Sequence, residues 1–335
     1  DAQESRGLGD VYKRQERSEL QTLKIIIDMT TIRYYFRQIF IMVLLTVFSS
    51  SYAADKPQKV ITVTIPKFGR GLVETWIKKY TEAYPDVHVR IVEKNKGQAD
   101  LEFVSETPEG DSGEHITYVG RYALLPVTTT ENPLYERLSR KRLDEKDLKD
   151  LFFQKDILQK VENEREGISP YEGLTVYSGT SRISGANAFA SYFGCQTSQF
   201  RGKRIAGDDL YLLTAINKDH TGITFNNLAY IFDLQNRSLK PRLFLIPLDI
   251  KREQRDVLDN GNLDETLQLL ENNDVALIPL PKVGFTYNDR TSVVDFLRWI
   301  VSEGQQFNHR FGFLTLDEKS LRKEQRQLDG NLLTD

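Results

Sequence analysis

The chain has 335 residues, 39% hydrophobic and 28% charged, with 45 Lys and Arg against 48 Asp and Glu, for a net charge of −3. That apolar content with so little net charge excludes a disordered polymer and a nucleic-acid binder held by surplus positive charge. One cysteine excludes an internal disulfide framework, and four histidines spread over positions 88, 115, 220 and 309 exclude a compact Cys/His zinc cluster.

The two methionines are Met29 and Met42, so Met29 is read as the natural start. Asp10-Val11-Tyr12-Lys13-Arg14-Gln15 matches one reading frame of a transposon adapter used in sequencing libraries, and residues 1–28 are expected to be assembly scar and translated upstream DNA. From Met29, Arg33 and Arg37 make a positive start, residues 39–48 form a ten-residue core that is apolar except for Thr46, and Ser51-Tyr52-Ala53 offers the small residues a signal peptidase reads. This pattern predicts a secretory signal peptide over 29–53, cleaved near Ala53, and a periplasmic protein. The apolar run is half of the roughly 20 residues needed to span a bilayer. Cleavage leaves 282 residues, a length that suits two lobes because single cores stop growing near roughly 250–300 residues.

In chain order, 59–65 (KVITVTI) is a β-branched run ending at Pro66 and predicts a buried strand. Gly69-Arg70-Gly71 then opens a segment with Leu72, Val73, Trp76, Ile77, Tyr80 and Ala83 at helical spacing, stopped by Pro85. Residues 87–92 alternate as a second strand, giving a βαβ unit whose strand-to-helix turn can offer backbone N–H groups to an anion; that the two glycines only make the turn is the plainer reading. Glu74 stands where a dinucleotide fingerprint needs its third glycine, so a nucleotide cofactor is not indicated.

A third strand is predicted at 99–104, a fourth at 118–127, and a helix over 143–152 capped by Asp144. Residues 174–177 read as a strand, followed by Ser178-Gly179-Thr180-Ser181-Arg182-Ile183-Ser184-Gly185-Ala186 and a helix through Phe189, Tyr192 and Phe193. Small and hydroxyl residues with one arginine at a strand-to-helix junction supply amides, hydroxyls, a guanidinium and the helix dipole, all of which favour an oxyanion; a polar loop with a serine cap is the plainer reading. Strands are expected at 222–225, 243–250 and 275–280, helices at 263–270 and 292–302, and a charged peripheral tail at 317–335. Alternation of strands and helices throughout predicts an α/β fold.

The ordered set of motifs resembles the type II periplasmic solute-binding proteins, most closely the phosphate-binding branch serving ABC transporters. It is carried by the strand before Gly69-Arg70-Gly71, by Ala99-Asp100-Leu101-Glu102-Phe103, and by Leu125-Pro126-Val127 to Asn132-Pro133 with the helix at 143–152. Arg182-x-Ser184-Gly185-Ala186 is similar to the family's Arg-x-x-Ser-Gly-Thr anion loop, and Gly222-Ile223-Thr224-Phe225 to its Gly-Ile-Gly-Tyr strand. Residues 296–306 and Phe311-Gly312-Phe313-Leu314 resemble the closing signature. The likeness spans about residues 58–316 and implies two α/β lobes, 58–122 with 276–316 and 123–275, joined by two crossover strands around a cleft.

The resemblance implies ligand contacts at Gly69, Arg70, Gly71, Ser105, Glu106, Ser181, Arg182, Ser184 and Gly185, with Glu106 placed to accept the proton of hydrogen phosphate. It also implies a monomeric receptor that passes its solute to an ABC permease, with no cofactor and no nucleic acid. Ala186 replaces a threonine, and the loop is one residue short. The alternative is therefore a ligand-free scaffold acting as a sensor or adaptor in the envelope. An enzyme is not expected: there is no Gly-x-Ser-x-Gly elbow, His-Glu-x-x-His or Walker loop, and Cys195 stands apart from any histidine.

Overall fold

The computed structural model describes residues 59–93, 99–105, 115–154, 171–181, 184–288 and 290–330, with Met29, Arg37 and Gln38. Apart from those three residues, the expected signal peptide lies outside the described residues.

The chain from Lys59 onward forms one unit built on two five-stranded sheets. The first comprises β1 (Lys59–Thr64), β2 (Val87–Ile91), β3 (Leu101–Ser105), β4 (His115–Arg121) and β12 (Lys282–Tyr287), in the order β2-β1-β3-β12-β4. β1 runs parallel to β2 and β3, and β12 lies antiparallel between β3 and β4. Asp100 fixes the start of β3: its Oδ2 accepts from the amide and hydroxyl of Thr62 at 2.7 and 2.6 Å.

Helices α1 (Arg70–Ala83) and α9 (Arg290–Ser302) pack on this sheet. The apolar spacing read from the sequence puts Leu72, Val73, Trp76 and Tyr80 of α1 in the core, against Val293, Phe296, Leu297 and Ile300 of α9. Tyr80 and Phe296 meet at 4.9 Å between ring centroids. Buried Trp76 donates its indole N–H to the Gly304 carbonyl at 2.8 Å.

The second sheet holds β5 (Leu124–Thr129), β6 (Thr175–Gly179), β7 (Lys203–Ile205), β8 (Gly222–Asn227) and β11 (Leu243–Leu245), in the order β11-β5-β8-β6-β7. α2 (Tyr135–Arg140), α3 (Glu145–Phe152), α4 (Gly185–Tyr192) and α5 (Leu210–Lys218) belong to this half, followed by α6 (Leu228–Ile231), α7 (Arg252–Asp259) and α8 (Leu263–Asn272). A short hairpin, β9 (Phe232–Asp233) with β10 (Ser238–Leu239), lies between α6 and β11. The predicted Asp144 cap is present with a full capping box to Asp147. Phe152, Phe189, Phe200 and Phe225 form the aromatic centre, Phe189 stacking on Phe225 at 4.0 Å.

Three expected elements differ. The single strand over 118–127 is two, β4 and β5, because the chain leaves one sheet for the other at Tyr122 and Ala123. The strand at 275–280 is instead the returning connection: Tyr122 N donates to Pro281 O at 3.0 Å and Leu124 N to Pro279 O at 3.1 Å. Two prolines remove ladder donors there, and Leu277 turns with φ of 69°. The run at 243–250 is a strand only over β11; beyond it the chain turns away at Pro247, and Leu248 makes an isolated parallel bridge to Leu143. Residues 318–329, which the sequence shows only as charge, form amphipathic helix α10 (Glu318–Asp329). Ser320, Glu324 and Leu328 are buried there, and Glu324 accepts from Tyr118 N at 3.2 Å.

Candidate functional site

The first half of the site is the start of α1. Pro66 ends β1, one 3-10 turn covers Lys67–Gly69, and Gly69 occupies the N-cap with no side-chain hydrogen bond and no acidic residue in the first helical turn. Arg70 N, the first amide of α1, already donates to the Lys67 carbonyl within that turn, so the positive end of the helix dipole falls at the 3-10 turn itself. Both glycines answer to packing: a Cβ at Gly69 would lie 3.2 Å from the Phe103 ring, and one at Gly71 only 2.8 Å from Phe311. Arg70 is exposed and pairs with Glu74 at 3.2 Å, a surface pair of small energy. Ser105 shares a 2.7 Å hydrogen bond with the Tyr122 hydroxyl. Phe68 packs among Phe103, Tyr122 and Phe313.

The second half is the start of α4. Ser184 caps the helix, its hydroxyl accepting from Ala186 N at 3.3 Å, while Ser184 N donates to Ser181 O at 3.0 Å. The serine-cap reading is therefore the local structure here. The amide of Gly185 donates at 2.7 Å to Oδ2 of Asp209, which stands at the N-cap position of α5 without a capping hydrogen bond to that helix. Burial pushes the Asp209 carboxyl up to about 7 against the pull of the Gly185 amide, and the neighbouring Asp208 charge adds to the rise. Sequence reading missed Asp209. Its one local signal is Gly207-Asp208-Asp209 directly before the apolar-periodic run of α5, a helix start that the sequence reading did not mark.

The two halves face one another. Lys67, two positions before Gly69, holds its ammonium over the ring of Tyr211, two positions after Asp209, at 5.5 Å. Of the other expected contacts, Glu106 and Arg182 lie outside the described residues. Among the described residues no group of three or more His, Cys, Asp or Glu is placed to hold a metal ion. No described helix is long and apolar enough to cross a membrane.

No family model matches the sequence, and no curated protein does. Solved structures do match in fold. A phosphate ABC transporter substrate-binding protein from Clostridium perfringens, solved with phosphate bound, superposes with a TM-score of 0.54 at 16% identity, covering 77% of this chain and all of its own. An ABC-type phosphate transport receptor from Vibrio cholerae gives 0.49 at 14% identity over 77% of this chain and all of its own. A full-length BenM variant gives 0.46 at 14% identity over 85% of this chain and 80% of its own. The chain thus has the two-lobed α/β fold of the type II periplasmic-binding-protein class, as the order of its motifs leads one to expect.

Proposed function

We propose that this protein is a periplasmic solute receptor that captures a small oxyanion, phosphate first among them, and presents it to an ABC-type membrane permease. The observation that carries the reading is the start of α1: the N-terminus of a 14-residue helix with no side-chain cap and no acidic residue in its first turn, preceded by Lys67 and facing the other lobe across the Lys67–Tyr211 contact. On this reading the lobes are 58–122 with 276–316 and 123–275, the mature protein begins after Ala53, and the chain is a monomer and not an enzyme. The name of the Clostridium perfringens neighbour supports a solute-binding role for the shared fold.

Isothermal titration with phosphate, sulfate, molybdate and tungstate tests it. Four or five charge-assisted hydrogen bonds of about 1.5–3 kcal/mol each are enough for micromolar binding once ordering costs are subtracted. Heat with none of the four anions rejects the reading. N-terminal sequencing of protein exported by a bacterial host tests the leader, with Ala54 as the expected first residue.

One observation favours a second reading, a ligand-free scaffold that serves as an envelope sensor or adaptor: Asp209 already holds the Gly185 amide. Stoichiometric co-purification with an envelope protein, with no anion bound, would support it.

A further inference from the structure

The Asp209 carboxylate is held where an oxyanion would sit. Its Oδ2 takes the Gly185 amide at 2.7 Å, the first N–H of α4. Its backbone is pinned from the other side, because the side-chain amide of Asn226, fully buried, donates to the Asp209 carbonyl at 2.7 Å. The floor beneath it is Gly179: a Cβ there would lie 2.8 Å from Asp209 Oδ1 and 2.7 Å from Ser184 Cβ, so the last residue of β6 must lack a side chain for the carboxylate to fit. Oδ1 itself is buried and accepts no hydrogen bond from the described residues.

A carboxylate at a helix N-terminus satisfies the same amides and the same dipole that a bound oxyanion would. The two compete for one position. A free oxyanion reaching Gly185 N would either displace Asp209 or lie in van der Waals contact with a carboxylate that has a second acid, Asp208, beside it. We infer that Asp209 is a built-in occupant of this loop, which keeps the α4 half of the cleft closed to a free tetrahedral oxyanion and leaves binding to the α1 half. The inference rests on reading the cleft as anion-facing, but concerns only which half accepts the anion.

The test uses the mature chain, Asp209→Ala and Asp209→Asn, titrated at pH 8 with inorganic sulfate and inorganic phosphate. It is read both by calorimetry and by the amide resonance of Gly185 in nitrogen-15 spectra. In the wild type neither anion should move the Gly185 resonance, whatever binds at α1. In Asp209→Ala both anions should move it saturably, with affinity at that position gained at least tenfold. Asp209→Asn keeps the size and the acceptor without the charge, guards against a fold lost with the alanine, and should lie between the two. A Gly185 resonance that responds to sulfate equally in wild type and variants would overturn the inference, as would variants in which it responds to neither anion. Absence of binding heat in the wild type alone bears instead on the receptor reading, so the two failures are distinguishable.

Discussion

Arg237 reaches from the β9–β10 hairpin to the main chain at His309 and Arg310, its Nη2 donating to the carbonyl of His309 at 2.9 Å while the same nitrogen meets Asp264 Oδ1 at 2.6 Å. Nη1 adds the Arg310 carbonyl at 3.3 Å. Asp264 is held below the usual carboxylate range by this guanidinium. Two further contacts follow the same seam. Glu271 accepts from the amide and hydroxyl of Thr315 at 2.6 and 2.8 Å, and Gly312, at φ of 74°, lets its backbone approach Ala229 where a Cβ would come within 3.0 Å of the amide.

A planar fork that ties one carboxylate to two carbonyls loses its geometry on substitution, so Arg237→Ala should lower unfolding free energy by about 1.5–3 kcal/mol. Arg237→Lys should recover only part, since an ammonium cannot span the three acceptors. Urea melts of the two variants check this. Equal stability of Arg237→Ala and wild type would show that the seam is held elsewhere.

Trp76 is fully buried, and its N–H has the Gly304 carbonyl as partner. Trp76→Ala removes the largest fully buried side chain among the described residues and should cost about 3–5 kcal/mol. Trp76→Phe retains most of the packing but leaves the carbonyl without its donor, and should cost less. Only Trp299 then remains to report by fluorescence, so circular dichroism in urea is the better measure for both.

Gly179 predicts a third outcome. Its replacement by alanine forces Ser184 and Asp209 apart by several tenths of an ångström, an overpacking that costs about 1–3 kcal/mol. The expected sign in thermal melts is destabilisation, accompanied by faster exchange of the Gly185 amide. Unchanged exchange would mean that the loop yields elsewhere.

The α/β class, strands β1, β2, β3, β6 and β8, and helices α1, α3, α4, α8 and α9 were legible in the sequence because their apolar positions repeat at the period of the element. Asp144 signalled its cap in the same local way. What escaped depends on contacts distant in the chain. The break at Tyr122 is set by the return at Pro279 and Pro281, some 160 positions away, and local pattern cannot carry that. β12 was missed because residues 282–287, with Gly284 pressed on Thr117, lack the continuous β-branched run of β1. α10 carries no local signal in the sequence because its one buried acid, Glu324, looks like any charge until Tyr118 is placed beside it. Asp209 belongs to the same class: its role appears only when the start of α5 is folded against the start of α4.

The same residue gives a pH dependence whose sign runs opposite to that of most carboxylates. An unfolded aspartate loses its proton near pH 3.8, whereas folded Asp209 keeps its own to about 7. Between those values the folded state binds the extra proton. Its contribution to stability is therefore full below about pH 4 and is lost as pH rises through 7. The loss is on the order of 2–4 kcal/mol for a shift of this size. Asp259 and Glu324, also raised by burial, slope the same way, so the wild-type curve alone cannot single out Asp209. Its difference from Asp209→Asn can, because the asparagine does not titrate while the other two acids do so in both proteins. In urea melts at pH 5 and pH 8 the variant should gain on the wild type as pH rises. A difference that stays constant between the two pH values would mean that Asp209 is already ionised at pH 5, its charge satisfied by the Gly185 amide.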